Sequence, residues 1–169
     1  MRVLGQVLAA VLAVVAVAAA VAGLTIVVGF RRRDPRVLGP LVRWQRERVN
    51  PRVLQTAGTE GDPHSVVRHV GRTSGRPYAT PISAVRVSGG FEVVLPYGPE
   101  ANWVRNVLAA GSAVLEHDGR SYDVVAAQVV PIDATGFAEN GAVTARVFGL
   151  REALRLSTGD EVESAPPRS

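Results

Sequence analysis

Residues 69–96 read HVGRTSGRPYATPISAVRVSGGFEVVLP. Strand-forming runs alternate with turn residues through this stretch and its immediate flank. Ser65–Arg72 and Ala79–Val87 are rich in β-branched residues, and Phe91–Pro96 (FEVVLP) supplies a third strand. Ser88, Gly89 and Gly90 form a hairpin signal between the second and third. The loop between the first two is polar and carries Arg72, Thr73, Ser74 and Arg76 around Gly71 and Gly75.

The same alternation continues outward. Tyr97–Glu100 (YGPE) is a turn, and Trp103, Val104, Val107 and Leu108 then recur at helical spacing, with Gly111 placed to end the helix. SAVLEH and SYDVVAAQVVP follow as strands joined at Asp118-Gly119, and TARVFGLREALRL reads as a last helix interrupted at Gly149. Both faces are apolar at Val124–Ala127, which suits a strand covered on two sides, as in a barrel that forms a homodimer. Short strands joined by hairpins predict a mainly β domain, an antiparallel sheet or small barrel with helices at its ends, over residues 64–156. The tail at 157–169 has the composition of a disordered segment.

Upstream, Val3–Phe30 contains no charge, and its only polar side chains are Gln6 and Thr25. As a helix this run reaches about 42 Å, more than the roughly 30 Å of a bilayer core. It predicts a transmembrane helix over 3–30. A cleavable signal peptide is the alternative, with Ala20–Ala22 as a cleavage site, but the apolar run continues past that site. Arg31, Arg32, Arg33 and Arg36 follow the run, so the positive-inside rule puts the domain on the cytoplasmic side of a single-pass protein. Residues 31–63 read as a basic juxtamembrane linker. Within it, Trp44 and alternating Val, Leu and Arg suit an interfacial helix on anionic lipid or an amphipathic helix packed on the domain. Gly39-Pro40 breaks or kinks that helix near its start.

Composition removes several chemistries. There is no Cys, hence no disulfide, thiolate nucleophile or Cys-ligated metal. All 19 basic residues are Arg, which excludes a Schiff-base lysine and a lysine-bearing P-loop. His64, His69 and His117 form no recognisable metal set. The charge is unevenly spread: residues 31–52 hold eight Arg against Asp34 and Glu47, whereas residues 53–169 hold ten Arg against thirteen acids. A mildly acidic folded part argues against nucleic acid as a partner.

Two motifs carry chemistry. GRTSGRPY offers backbone N–H groups, the Thr73 and Ser74 hydroxyls and two fixed cations, an anion cradle or else a solvated turn. LPYGPEANWVRN, Leu95–Asn106, places a helix start after a Gly-Pro turn; its amides suit a phosphate or carboxylate, and Tyr97 and Trp103 suit a flat ring. Alternatively, Asn102 only caps the helix and Trp103 is core.

Taken together, VNP at 49–51, HVGRTSGRPYATP at 69–81 and LPYGPEANWVRNVLAAGSAVL at 95–115 resemble the deazaflavin-dependent nitroreductase and quinone reductase family, over roughly residues 46–131. The resemblance implies a split β-barrel like that of the FMN-binding pyridoxamine-phosphate oxidases. It implies the deazaflavin coenzyme F-420, with a phosphate and an anionic oligoglutamyl tail, and hydride transfer to a quinone, nitroaromatic or similar conjugated acceptor. By position, Arg72, Thr73, Ser74, Gly75 and Arg76 would hold the phosphate and tail. Pro77, Tyr78 and Pro81 would line the approach to the ring. Leu95, Pro96, Tyr97 and Gly98 would lie along the deazaflavin, with Trp103 and Asn106 fixing the next turn. Tyr78 and Tyr97 are the candidates for proton donation to a reduced acceptor. The chain departs from one branch of the family at Thr73 and Tyr78, where that branch is basic, and it has no Tyr after Tyr122. A membrane anchor would bring such a domain to a lipophilic quinone. The competing readings are a non-catalytic coenzyme- or lipid-binding module and a relative that uses FMN or haem.

Overall fold

A computed structural model of the chain describes residues 2–137 and 142–159. It opens with helix α1 (Arg2–Arg32). The chain turns at Arg33, whose φ is +51°, and Asp34 accepts the Arg36 N–H at 2.9 Å to start α2 (Pro35–Trp44). Val37 of α2 lies so close to Gly29 of α1 that a Cβ at Gly29 would sit 2.5 Å from its Cγ1. Pro40 stands inside α2 without breaking it; a π-helical turn follows at Gln45–Val49, then α3 (Asn50–Val53).

The domain comprises β1 (Ser65–Val70), β2 (Pro77–Ile82), β3 (Ala84–Val87), β4 (Gly90–Val94), α4 (Asn102–Ala110), β5 (Ser112–His117), β6 (Arg120–Pro131), α5 (Ala142–Phe148) and β7 (Glu152–Thr158). The strands form one antiparallel sheet in the order β2-β1-β5-β6-β7-β4-β3. Strands β2 and β3 stand at opposite ends of that order, yet only Ser83 separates them in the chain. The sheet must therefore curl until its ends meet, a half-barrel. Ring contacts across its interior agree. Phe91 of β4 lies 5.2 Å from His117 of β5, although two strands intervene and a flat sheet would put those strands about 14 Å apart.

The interior is filled by Val67, Phe91, Leu115, Leu154 and Leu156, each fully buried, and is plugged by Val104 and Val107 of α4. Pro77 and Pro81 fall on β2, an end strand of the sheet, where missing N–H donors can be tolerated. Asp118 and Gly119, both at positive φ, make the expected hairpin.

Three expectations change. Ala79–Val87 is two strands, split at Ser83 where the chain crosses between sheet edges. The apolar run Val124–Ala127 reflects a bulge: Ala126 has φ +48° and the β6–β7 register shifts between Val125 and Gln128. The last helix ends at Phe148, and Glu152–Thr158 is a strand paired on both sides. Ser157 and Thr158, assigned to the tail, therefore belong to the sheet; residues 160–169 lie outside the described residues.

Candidate functional site

The loop from Gly71 to Arg76 closes on itself. The Gly71 N–H donates to the Arg76 carbonyl and the Gly75 N–H to the Gly71 carbonyl, each at 2.8 Å. Gly75 takes φ +65°, and Gly71 has no room for a side chain, since a Cβ would meet Ser74 and stand 2.7 Å from the Tyr78 ring. Across from the loop stands the start of α4. Ala101, not Asn102, occupies the cap position, and no side chain caps this end. Asn102 instead turns its Oδ1 to the Arg72 guanidinium, at 3.4 and 3.5 Å, and Asn106, one turn on, presents its own Oδ1 to the same group at 2.9 Å.

The electrostatics are one-sided. A fixed cation is held at the positive end of a helix whose first turn has no acidic residue. Arg72 and Arg76 make no ion pair among the described residues, and the Thr73 and Ser74 N–H groups have no partner among them. This donor set fits a phosphate or carboxylate. The loop is exposed from Arg72 to Tyr78, and the Ser74 and Tyr78 hydroxyls lie 3.2 Å apart. Beneath it, His69 is buried, 3.3 Å from Asn106 Nδ2 and 3.1 Å from Thr80 Oγ1, with its ring stacked on Tyr78 at 5.7 Å. Burial lowers the His69 pKa from its ordinary value.

The second motif divides. Asn106 joins the Arg72 cluster, Trp103 packs partly buried against the core, and Leu95 is core outright. Tyr97 points elsewhere: its hydroxyl donates to Gln45 Oε1 at 2.6 Å and its ring meets Phe30 of α1 at 5.8 Å. Burial raises its pKa. Gly98 lies against the Arg33 guanidinium, 3.0 Å from where a Cβ would stand, and Arg33 pairs with Glu152. Pro96 is exposed, as are Pro77 and Tyr78; Pro81 is half-buried on β2. No hydrogen bond or ring contact among the described residues joins Tyr97 to the Arg72 cluster.

Sequence reasoning set His69 aside, yet one signal was available. It alternates with Val67 along a strand, so it faces the interior, and a polar residue there needs partners. Gln45 carried no such signal. Among the described residues no group of three His, Cys, Asp or Glu is placed to hold a metal. A surface groove of about 550 Å³ lies on α2 and the π-helical turn, lined by Pro40, Arg43, Trp44, Glu47 and Arg48; it shares no residue with the Arg72 cluster.

Residues 41–140 match the family described as F420H(2)-dependent quinone reductase. No curated protein matches the chain. Among solved structures the chain is similar to an F420 reductase at 10% identity and TM-score 0.40, over 57% of this chain and 86% of that one. It is similar to an F420-H2 dependent reductase at 15% identity and TM-score 0.41, over 56% and 94%. It is also similar to HutZ, a heme storage protein from Vibrio cholerae, at 16% identity and TM-score 0.43, over 66% and 90%.

Proposed function

The chain belongs to the F420H(2)-dependent quinone reductase family, an oxidoreductase family whose coenzyme is reduced F-420, and from that premise we propose a membrane-anchored reductase that passes a hydride to a lipid-soluble quinone. One observation carries the proposal beyond the family: the end of α1 is seated on the loop that follows β4. Phe30 meets Tyr97, Arg33 lies over Gly98 and pairs with Glu152, and Arg31 Nη1 donates to the Arg146 carbonyl at 2.7 Å. Val11–Arg32 is long and apolar enough to cross a membrane, with mean hydropathy 2.8, and residues 11–26 are exposed along their length. Val14 and Leu24, each about two-thirds exposed, need an apolar surrounding that the domain does not supply. Beyond the span, α2 packs on α1 and runs on into the π-helical turn, and Trp44 and the Arg43–Arg48 groove stay open, as an interfacial helix needs. That favours the interfacial reading of α2 over a helix buried against the sheet.

Bound and reduced, the deazaflavin supplies the hydride. Arg72 and Arg76, with the Thr73 and Ser74 amides, would hold its anionic end beside the α4 N-terminus. Gly75, at φ +65°, lets the loop make its turn there. Tyr78, exposed and coupled to Ser74, is the better placed of the two tyrosines to give a proton to the reduced acceptor oxygen, with water replacing it. Tyr97, engaged with Gln45 and Phe30, instead fixes the domain to the helix.

The test uses the full chain reconstituted in vesicles that contain a long-chain quinone. Coenzyme oxidation should follow quinone reduction one for one, and the protein should resist alkaline extraction. Coenzyme oxidation by water-soluble acceptors alone would remove the quinone, and release by alkali would remove the anchor.

A further inference from the structure

The side-chain hydrogen bonds around His69 point to one arrangement. The Arg72 backbone N–H and its Nη1 can only donate, and both reach Asn106 Oδ1, at 3.2 and 2.9 Å. The amide oxygen therefore faces Arg72, and Nδ2 faces His69 Nδ1 at 3.3 Å. Nδ1 must accept. The ring proton is then on Nε2, which donates to Thr80 Oγ1 at 3.1 Å. A side chain on β1, through one on α4, thus sets the position of a cation on the loop.

We propose that neutral His69 is a positioning residue for coenzyme binding: it locks the Asn106 amide, and the amide holds Arg72 at the start of α4. The inference rests on the reading of Arg72 as the grip on the coenzyme's anionic end. A second proton on the ring undoes the lock. Nδ1–H and Nδ2–H would then oppose each other, and turning the amide over would bring Nδ2 onto the Arg72 donors. The groups facing the ring are the Tyr78 phenol and Thr80 hydroxyl from β2, the Asn106 amide from α4, and the adjacent Val70 backbone, with the Arg72 guanidinium beyond the amide. None of them is a carboxylate that could take up the added charge. Burial holds the ring below the ordinary 6.5, partly offset by the adjacent Val70 backbone, so the lock is closed at neutral pH and opens in acid.

The experiment measures binding of the oxidised coenzyme to the full chain in detergent micelles between about pH 8 and about pH 5, together with nitrogen-15 spectra of the histidine rings. Affinity should be flat above about pH 6.5 and fall roughly 10- to 100-fold in acid, the worth of a charge-assisted hydrogen bond. The spectra should show the neutral Nε2–H form of His69, titrating where affinity is lost. His69→Asn retains an acceptor in place of Nδ1 and cannot titrate, so it should bind as the native chain does at neutral pH and lose the acid limb. His69→Leu should bind about tenfold or more weakly throughout. An Nδ1–H tautomer would overturn the proposal, as would an acid limb that survives in His69→Asn. Should His69→Leu not fold, the Asn variant and the spectra decide. If Arg72→Ala binds coenzyme normally, the grip assignment fails. The lock is then judged in the coenzyme-free chain, by whether the Arg72 side-chain N–H loses exchange protection as His69 protonates.

Discussion

Arg72 and Arg76 share a loop, but the fold holds them differently. Arg72 is fixed by Asn102 and Asn106, whereas the Arg76 guanidinium has no partner among the described residues. Ordering a free arginine on binding costs side-chain entropy that Arg72 has already lost. Arg72→Ala should therefore weaken coenzyme binding by about 1.5–3 kcal/mol, and Arg76→Ala by about 0.5–1 kcal/mol. Arg43→Ala with Arg46→Ala should leave it unchanged, and titration calorimetry at two salt concentrations separates the three. A pH effect on stability also belongs at this scale. His69 and His117 are both depressed by burial, and Arg86 further lowers His117 while Asp118 opposes the shift. The unfolded chain takes up protons near pH 6.5, before the folded one. Stability is thus fully present above that value and is lost as pH falls through it toward the lower folded values. The midpoint of thermal unfolding should drop over that range, and less so in His69→Asn with His117→Asn. The residues of the Arg72 loop were legible in the sequence because glycines and arginines announce such a loop. Its surroundings were legible only in part: the resemblance named Asn106, whereas Asn102 had a sufficient local reading as a cap and His69 was set aside because the three histidines form no metal set.

At the scale of elements, the strands around the opening stretch were legible and β7 was not. Its residues EALRLST favour a helix intrinsically, and only the distant partners β4 and β6 make it a strand. A buried pair ties it in place. Glu92 of β4, 3% exposed, accepts from Arg155 of β7 at 2.8 and 3.1 Å and from the Gly136 N–H at 3.1 Å. The two partners are unequally placed, because the Arg155 side chain is 42% exposed and the Glu92 side chain only 4%. Removing the arginine strands a buried carboxylate; removing the charge on the glutamate leaves an arginine that water can reach. Arg155→Met should cost about 3 kcal/mol or more, and Glu92→Gln about 1 kcal/mol, as read by denaturant midpoints at constant slope.

At the scale of the whole molecule, the sequence reading had the domain hanging from its anchor on a basic linker. The structure instead seats the helix end on the domain through Phe30, Arg31 and Arg33, and Phe30 also meets Phe148 at 5.5 Å. The difference matters for function. A flexible tether raises the concentration of the domain near the bilayer but leaves its orientation free. A seated helix fixes which face meets the lipid, and on the proposed arrangement that face includes Pro96, the exposed residue of the turn at 95–98. None of this was visible in the sequence, because Phe30 read as the last apolar residue of a span and the arginines as a topology signal. The two pictures diverge in one variant. Phe30→Ala with Arg33→Ala leaves the apolar run to Val28 intact and keeps Arg31 and Arg32 behind it, so insertion should persist. It removes the ring contact, the packing over Gly98 and the Glu152 pair. If orientation matters, reduction of a long-chain quinone in vesicles should fall about tenfold, a loss of about 1.4 kcal/mol, while reduction of a short water-soluble quinone by the same preparation holds. Equal rates with both quinones would mean that the anchor acts as a tether alone, and that the seat on Tyr97 and Gly98 serves the stability of the fold.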